Sequence, residues 1–212
     1  MIETFTAGNF QLLCDGLSRK DKDLKQIVKT HGYPPMWTRP QKFSTLVLGI
    51  LEQQVSLASA YAAYKKLKER VGLITPEKIL ALDDEALRAC YFSRQKTVYV
   101  RELALAIQRK TLRLPHLQRL PDDEVRAQLT KIKGIGTWTA DVYLMQALQR
   151  TDVFPLGDLA LVNSIKEVKQ LHPSTSKEEL FEMGEAYRPY RTVASMIYWH
   201  AYIKKRNIKL GY

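Results

Sequence analysis

The sequence has little cysteine and no long apolar segment. Its 212 residues include only Cys14 and Cys90, too few for a four-cysteine iron–sulfur cluster. The longest apolar run, around residues 43–51, is far too short to span a bilayer, and the N-terminus MIETFTAGNF lacks the basic and apolar regions of a secretory signal. We therefore expect an intracellular protein, in the cytoplasm or nucleoid or in a eukaryotic nucleus, with no membrane span.

Acidic residues are scarce relative to basic ones. The chain has 33 Lys and Arg against 22 Asp and Glu, a formal net charge of +11 and an isoelectric point near 9.6. Such an excess favours a polyanionic partner, because each phosphate that a protein neutralises releases counterions. The basic residues are spread along the chain, and an apolar fraction of 45% is enough for a core. The composition therefore indicates a globular protein that binds nucleic acid.

Strand-like alternation is also missing, and helical spacing takes its place. Apolar residues recur every three or four positions over residues 18–31, 43–51, 57–71 and 94–109. Residues suited to capping helices stand before the later segments, as Ser56 and Ser93 do. The pattern predicts an all-α fold.

A glycine-containing hairpin lies in the stretch KIKGIGTWTADVYLMQALQRTDVFPLGD, residues 131–158. Gly134 and Gly136 favour a tight turn with positive φ, and Thr137 is suited to cap the apolar helix that follows. The amides of such a turn and of the first helical turn converge on one point and form an anion site, beside which Lys131 and Lys133 add positive charge. This segment is expected to hold a nucleic-acid backbone.

Asp158 ends the same stretch and precedes a helical pattern. One interpretation is an ordinary N-cap, the commonest role for an Asp at a helix start. The other is functional: a helix N-terminus favours the ionised carboxylate, which could stabilise a developing cation. Position alone does not decide between the two.

The order helix, KGIG hairpin, helix and Gly/Pro turn ending in Asp resembles the helix-hairpin-helix/Gly-Pro-Asp superfamily of DNA glycosylases. The segments LEQQVS (51–56), FSRQK (92–96) and RPYR (188–191) are similar to its alkylated-base branch, the 3-methyladenine DNA glycosylase II type. The similarity covers about residues 20–205. The two-cysteine content departs from the iron–sulfur branches.

The resemblance implies two helical lobes that flank a DNA-binding cleft. The expected parts are a helix-hairpin-helix glycosylase domain at 42–160 and a discontinuous helical domain made of 1–41 plus 161–212. The expected partner is double-stranded DNA with a damaged base, and the protein is expected to be a monomer.

The resemblance also implies roles for individual residues. Asp158 would be catalytic, Trp138 and Trp199 would line the base pocket, and Gln54 would fill the gap left by the extruded base. The remaining DNA-binding positions are Lys133, Gly134, Gly136 and Thr137. Of the two adjacent glutamines, Gln53 is expected to be structural.

No cofactor is expected to be required, but the resemblance implies a structural ion. In the superfamily, backbone carbonyls at the hairpin can hold a monovalent cation, and the matching positions are Thr130, Ile132 and Ile135. This ion would help to orient amides toward a phosphate.

Two departures from the family pattern bear on the chemistry. Trp138 stands where members that also cut the DNA backbone carry a Schiff-base lysine, which predicts a monofunctional enzyme. Val142 replaces a family tyrosine, so the pocket is less aromatic there. The resulting expectation is a glycosylase that flips and excises alkylated purines of the 3-methyladenine or 7-methylguanine kind in base excision repair. The alternatives are a same-fold glycosylase for a deaminated or oxidised base, and a non-catalytic DNA-binding protein in which Asp158 is only a cap.

Overall fold

The computed structural model describes residues 3–208, and this part of the chain is all helical, which confirms the predicted fold class. Its one β interaction is an isolated antiparallel bridge between Thr4 and Arg150. The helices are α1 (Phe10–Lys20), α2 (Lys22–His31), α3 (Phe43–Leu51), α4 (Leu57–Val71), α5 (Pro76–Ala81), α6 (Asp84–Ala89), α7 (Arg94–Gln108), α8 (Leu114–Leu117), α9 (Asp122–Thr130), α10 (Thr137–Gln146), α11 (Leu159–Val168), α12 (Lys177–Glu185) and α13 (Arg191–Lys205).

Side-chain caps decide where several helices begin. The side chains of Ser56, Asp83 and Ser93 accept backbone N–H bonds at 3.2, 2.7 and 3.2 Å and so start α4, α6 and α7. Gly72, with φ 67°, ends α4. The predicted bounds of α4, residues 57–71, are therefore confirmed.

The single helix predicted over residues 18–31 is wrong, because the chain breaks at Asp21. There φ is −131° and ψ 117°, and the carboxylate accepts the backbone N–H groups of Asp23 and Leu24 at 2.8 and 3.2 Å. A short acidic side chain competes for backbone amides and favours a new helix start over continuation. Gly32, with φ 78°, ends the second helix as expected.

The described chain divides into two compact units. The first comprises residues 3–38 and 144–208, in which α13 packs against α1, α2 and α11. Residues 191–201 of α13 are all buried, so this helix forms the centre of the unit. The second unit, Arg39–Tyr143, is built around α7, which packs against α3, α5 and α6. The domain boundaries expected from the sequence stay a prediction.

Neither membrane-spanning helices nor metal clusters occur within residues 3–208. No helix there is both long and apolar enough to cross a bilayer, and no group of three or more His, Cys, Asp or Glu side chains could hold a metal ion. Cys14 and Cys90 are buried free thiols. Burial, with the nearby charge of Asp15, raises the pKa of the Cys14 thiol to about 12.

Candidate active site

The hairpin lies between the end of α9 and the start of α10, and its turn requires a glycine at position 134. Gly134 has φ 92°, in the region that L side chains rarely adopt. A Cβ atom built there would lie 2.0 Å from Cγ of Tyr99 on α7. The turn is closed by an N–H bond from Ile135 to the carbonyl of Ile132, at 3.0 Å. Both the backbone conformation and the contact with Tyr99 therefore exclude a side chain at this position.

Gln53 fixes the hairpin from outside it. Its side-chain nitrogen donates to the carbonyl of Gly134 at 2.8 Å and to the hydroxyl of Thr139 at 3.0 Å. Gln53 therefore has the structural role expected for it. The next residue, Gln54, is exposed and has φ 56°, so its side chain projects into solvent.

Gly136 differs from Gly134. The prediction that Gly136 has a positive φ was wrong, and so was the prediction that Thr137 caps α10. Gly136 is not among the residues with positive φ, and a Cβ atom on it would meet nothing within 4 Å. Its carbonyl accepts the N–H of Ala140 at 3.1 Å, which makes Gly136 the N-cap and Thr137 the first residue of α10. Gly136 and Thr137 are both exposed. The space beside Gly136 at the start of α10 is open, and its expected contact with DNA stays a prediction.

The cation site expected at the carbonyls of Thr130, Ile132 and Ile135 stays a prediction, and the backbone hydrogen bonds leave these oxygens available. Within residues 3–208 no backbone N–H outside the helices donates to the carbonyl of Thr130 or Ile135, and the carbonyl of Ile132 accepts one bond of the two that it can take. A carbonyl left without a donor is suited to a monovalent cation. Lys131 and Lys133, on the same turn, are exposed.

Asp158 caps α11, as one interpretation of the sequence required. Its Oδ1 atom accepts the backbone N–H of Leu161 at 2.8 Å and also the indole Nε1–H of Trp199 at 3.0 Å. The second bond is not part of a simple cap. Asp158 is half-buried, so the carboxylate is neither sealed in the interior nor fully solvated. The structure thus brings together two of the predicted site residues, Asp158 and Trp199.

Trp199 is itself held by an aromatic residue that the sequence analysis did not place in the site. Trp37 lies edge-on to Trp199, with ring centroids 6.4 Å apart and an interplanar angle of 79°. The centroid of the His200 ring lies 6.3 Å from the centroid of the Trp37 ring. Trp37 has φ 44°, a conformation that costs free energy for a bulky residue and is often retained at functional sites. The signal in the sequence was the rigid segment YPPMWTRP, whose partner could not be inferred.

Trp138 occupies the second position of α10 and is half-buried. Val142, one turn further along α10, is buried with 7% of its surface exposed. The assignments of Trp138 and Trp199 to a base pocket, and of Gln54, Lys133 and Thr137 to DNA contacts, stay predictions.

A glycine hairpin between two helices, followed by a helix that begins at a carboxylate, is the arrangement implied by the resemblance to the helix-hairpin-helix/Gly-Pro-Asp superfamily. Residues 47–189 match the model of the HhH-GPD superfamily base excision DNA repair protein. The chain belongs to this superfamily.

The alkylated-base resemblance is confirmed by similar proteins. The chain is 32% identical over 190 residues to "DNA-3-methyladenine glycosylase 1" of Schizosaccharomyces pombe, covering 86% of this chain and 83% of that protein. It is 32% identical over 186 residues to "Putative DNA-3-methyladenine glycosylase YfjP" of Bacillus subtilis, covering 84% of this chain but 65% of that protein. The solved S. pombe 3-methyladenine DNA glycosylase (Mag1) in complex with abasic DNA has a TM-score of 0.83 and 29% identity, with 95% of this chain and 99% of that chain covered.

Proposed function

We propose that this protein is a monofunctional DNA N-glycosylase that excises alkylated purines, such as 3-methyladenine and 7-methylguanine, in base excision repair. Support comes from the relatives named DNA-3-methyladenine glycosylase and from the likeness to a structure that holds abasic DNA, the product of such a reaction. The observation that carries the proposal is the Asp158 carboxylate, which accepts both a helix N–H and the indole N–H of Trp199.

The reaction requires from the protein mainly a negative charge that is held close to the sugar. A cationic alkylated base is a good leaving group, so the glycosidic bond breaks with an oxocarbenium-like sugar forming. Asp158 stabilises that positive charge and orients or deprotonates the water that attacks the sugar. Because two N–H groups fix Oδ1 before the reaction begins, the carboxylate needs little reorganisation when the charge develops.

Selection of the base depends on aromatic walls. A cationic, electron-poor purine gains roughly 0.5–2 kcal/mol from a good contact with an aromatic face. Trp199 in the first unit and Trp138 in the second each carry an aromatic face suited to such a contact. Trp37 supports the first of them by its edge-on contact, so the orientation of the Trp199 ring is set by its own unit.

The absence of strand cleavage follows from Trp138. An indole has no amine that could form a Schiff base with the sugar, so water displaces the base and leaves an intact abasic site. Incubation of a methylated duplex with the enzyme should therefore give breaks only after heat or alkali treatment. Breaks without that treatment would contradict the monofunctional assignment.

A monovalent cation on the carbonyls of Thr130, Ile132 and Ile135 would complete the hairpin in this proposal. It supplies no chemistry and orients the turn's amides toward a phosphate. Replacing K⁺ by a bulky quaternary ammonium ion at equal ionic strength should weaken duplex binding. Equal affinity in both salts would exclude the cation.

The decisive experiment compares Asp158→Asn with Asp83→Asn. Both residues cap helices through an N–H bond, and Asn caps as well as Asp does, so neither change should lower the free energy of unfolding by more than about 0.5 kcal/mol. Only the first removes charge from the site, and it should reduce base release from methylated DNA by about 100-fold or more.

The possible outcomes separate the alternatives. Equal activity of the two variants would mean that Asp158 is only a cap. If wild type released no methylated base but did release a deaminated or oxidised one from single-lesion duplexes, the substrate assignment would be wrong while the catalytic role stood. Duplex binding without release of any base would favour the non-catalytic alternative.

A further inference from the structure

The unit Arg39–Tyr143 contains a groove next to the hairpin, with a volume of about 770 Å³. One wall is the C-terminal half of α7 and the segment that follows it, and the other is the end of α9 with the first residues of the hairpin. We call this feature the basic groove, because its lining includes five Lys or Arg residues: Arg109, Lys110, Arg113, Lys131 and Lys133.

These five cations are available to a ligand. All are exposed, and within residues 3–208 none of them has a carboxylate at ion-pair distance. Among residues 3–208, Glu102 is the single acidic residue that lines the groove. Like charges gathered on a concave wall above apolar residues such as Leu105 and Leu112 focus a positive potential into the groove. The groove therefore favours a ligand with several negative charges.

The dipole of α7 explains only part of this charge. A helix C-terminus favours nearby cations, which accounts for Arg109 and Lys110 at the end of α7. Arg113 lies beyond that end, and Lys131 and Lys133 belong to the other wall. The convergence of these three residues on one groove is not required by the helix.

Helix α7 places the groove directly beside the predicted phosphate site. Tyr99 contacts Gly134 of the hairpin, and the groove begins one turn later on the same helix, at Glu102, and continues to Arg109. The ten residue steps from Tyr99 to Arg109, the C-cap of α7, span about 15 Å at the rise of an α-helix. At about 3.4 Å of duplex axis per phosphate on one strand, this corresponds to about four phosphates.

We infer that the basic groove binds backbone phosphates of the same DNA duplex, beyond those held by the hairpin. The inference rests on the proposed function for its ligand, but it concerns affinity and footprint rather than the reaction. Lys131 and Lys133 are common to the hairpin and the groove, so they connect the two contacts. Arg109, Lys110 and Arg113 belong to the groove alone.

The test is a triple variant, Arg109→Gln, Lys110→Gln and Arg113→Gln. Its matched control is the triple change of Lys65, Lys66 and Lys68 to Gln on α4, which removes the same charge from exposed positions in the same unit but outside the groove. Dissociation constants are measured over a range of salt concentrations with an undamaged duplex of about 24 base pairs, which is longer than the hairpin and the groove together.

On this duplex, the groove variant should lower the slope of log Kd against log salt by about two to three, because each lost phosphate contact contributes about 0.9. The α4 variant should match wild type. An unchanged slope for the groove variant, or an equal reduction in the α4 variant, would overturn the inference. Single-turnover base release from a methylated duplex at saturating enzyme tests the proposed function separately, and the groove variant should retain it.

Discussion

Substitution of Gly134 by Ala tests whether the hairpin depends on the absence of a side chain. The new Cβ atom would lie 2.0 Å from Cγ, 2.4 Å from Cδ2 and 2.5 Å from Cβ of Tyr99. Rotation of the tyrosine ring cannot relieve the last contact, because that Cβ atom is attached to the backbone of α7. Overpacking of this kind costs about 1–3 kcal/mol, and the positive φ costs an L residue about 1–2 kcal/mol more. We expect the free energy of unfolding to fall by about 2–4 kcal/mol, after a small gain from the less flexible unfolded chain.

Gly136→Ala is the matched control for this change. A Cβ atom at position 136 meets nothing within 4 Å and needs no unusual φ, so the loss of stability should stay below about 1 kcal/mol, the typical difference between Gly and Ala at an N-cap. Duplex binding should nevertheless weaken, because the methyl group occupies the space at the exposed start of α10. The Gly134 variant therefore tests the stability of the fold, and the Gly136 variant tests duplex binding.

Denaturant unfolding and duplex titration of both variants provide the measurement. A double-mutant cycle adds a second check: in a Tyr99→Ala background, Gly134→Ala should cost about 1 kcal/mol less than in wild type but should still be destabilising, since φ and the Cβ contact remain. A Gly134→Ala protein as stable as wild type would refute the argument. So would equal losses of stability in the two glycine variants.

Three further predictions concern single residues. Trp37→Ala should reduce base release several-fold and Trp37→Phe much less, because an aromatic edge on Trp199 contributes about 0.5–1.5 kcal/mol to its placement; equal activity of both variants would exclude that role. Gln54→Gly should impair excision without lowering the unfolding free energy by more than about 1 kcal/mol, since glycine relieves the positive φ at an exposed position; a large loss of stability would show that the side chain is structural. Burial alone would raise the pKa of Asp21, but hydrogen bonds, first among them that from Lys169, outweigh it and lower the pKa. The stabilisation from Asp21 is therefore present above the ordinary pKa of an aspartate and is lost as the pH falls through the lowered value; in unfolding measurements from about pH 6 to about pH 3, Asp21→Asn should show a weaker pH dependence than wild type.

The features that could be predicted from the sequence are those fixed by neighbouring residues. Ser56 and Ser93 bond to amides three residues away, so a local pattern is sufficient to place the helix starts. The same holds for Asp158 as the cap of α11. Asp21 carried an equally local signal, but the continuous apolar spacing around it suggested one helix instead of two.

The features that could not be predicted depend on contacts between distant segments. The contact of Tyr99 with Gly134, like that of Trp37 with Trp199, joins residues that share no periodic pattern. A tyrosine on a helix does not reveal which backbone it will meet. For the same reason, Gly134 and Gly136 look alike in the sequence although only the first requires glycine for its conformation.

The bonds from Gln53 to the hairpin have a consequence for folding. They connect residues separated by 81 and 86 positions, so the turn reaches its final shape only after segments far apart in the chain have met. A synthetic peptide spanning α9 to α10 would contain every residue of the hairpin. It would lack the side-chain amide of Gln53, which fixes the turn by hydrogen bonds. Such a fragment should be a poor substitute for the whole protein in DNA binding, since its glycine turn would sample many shapes in solution.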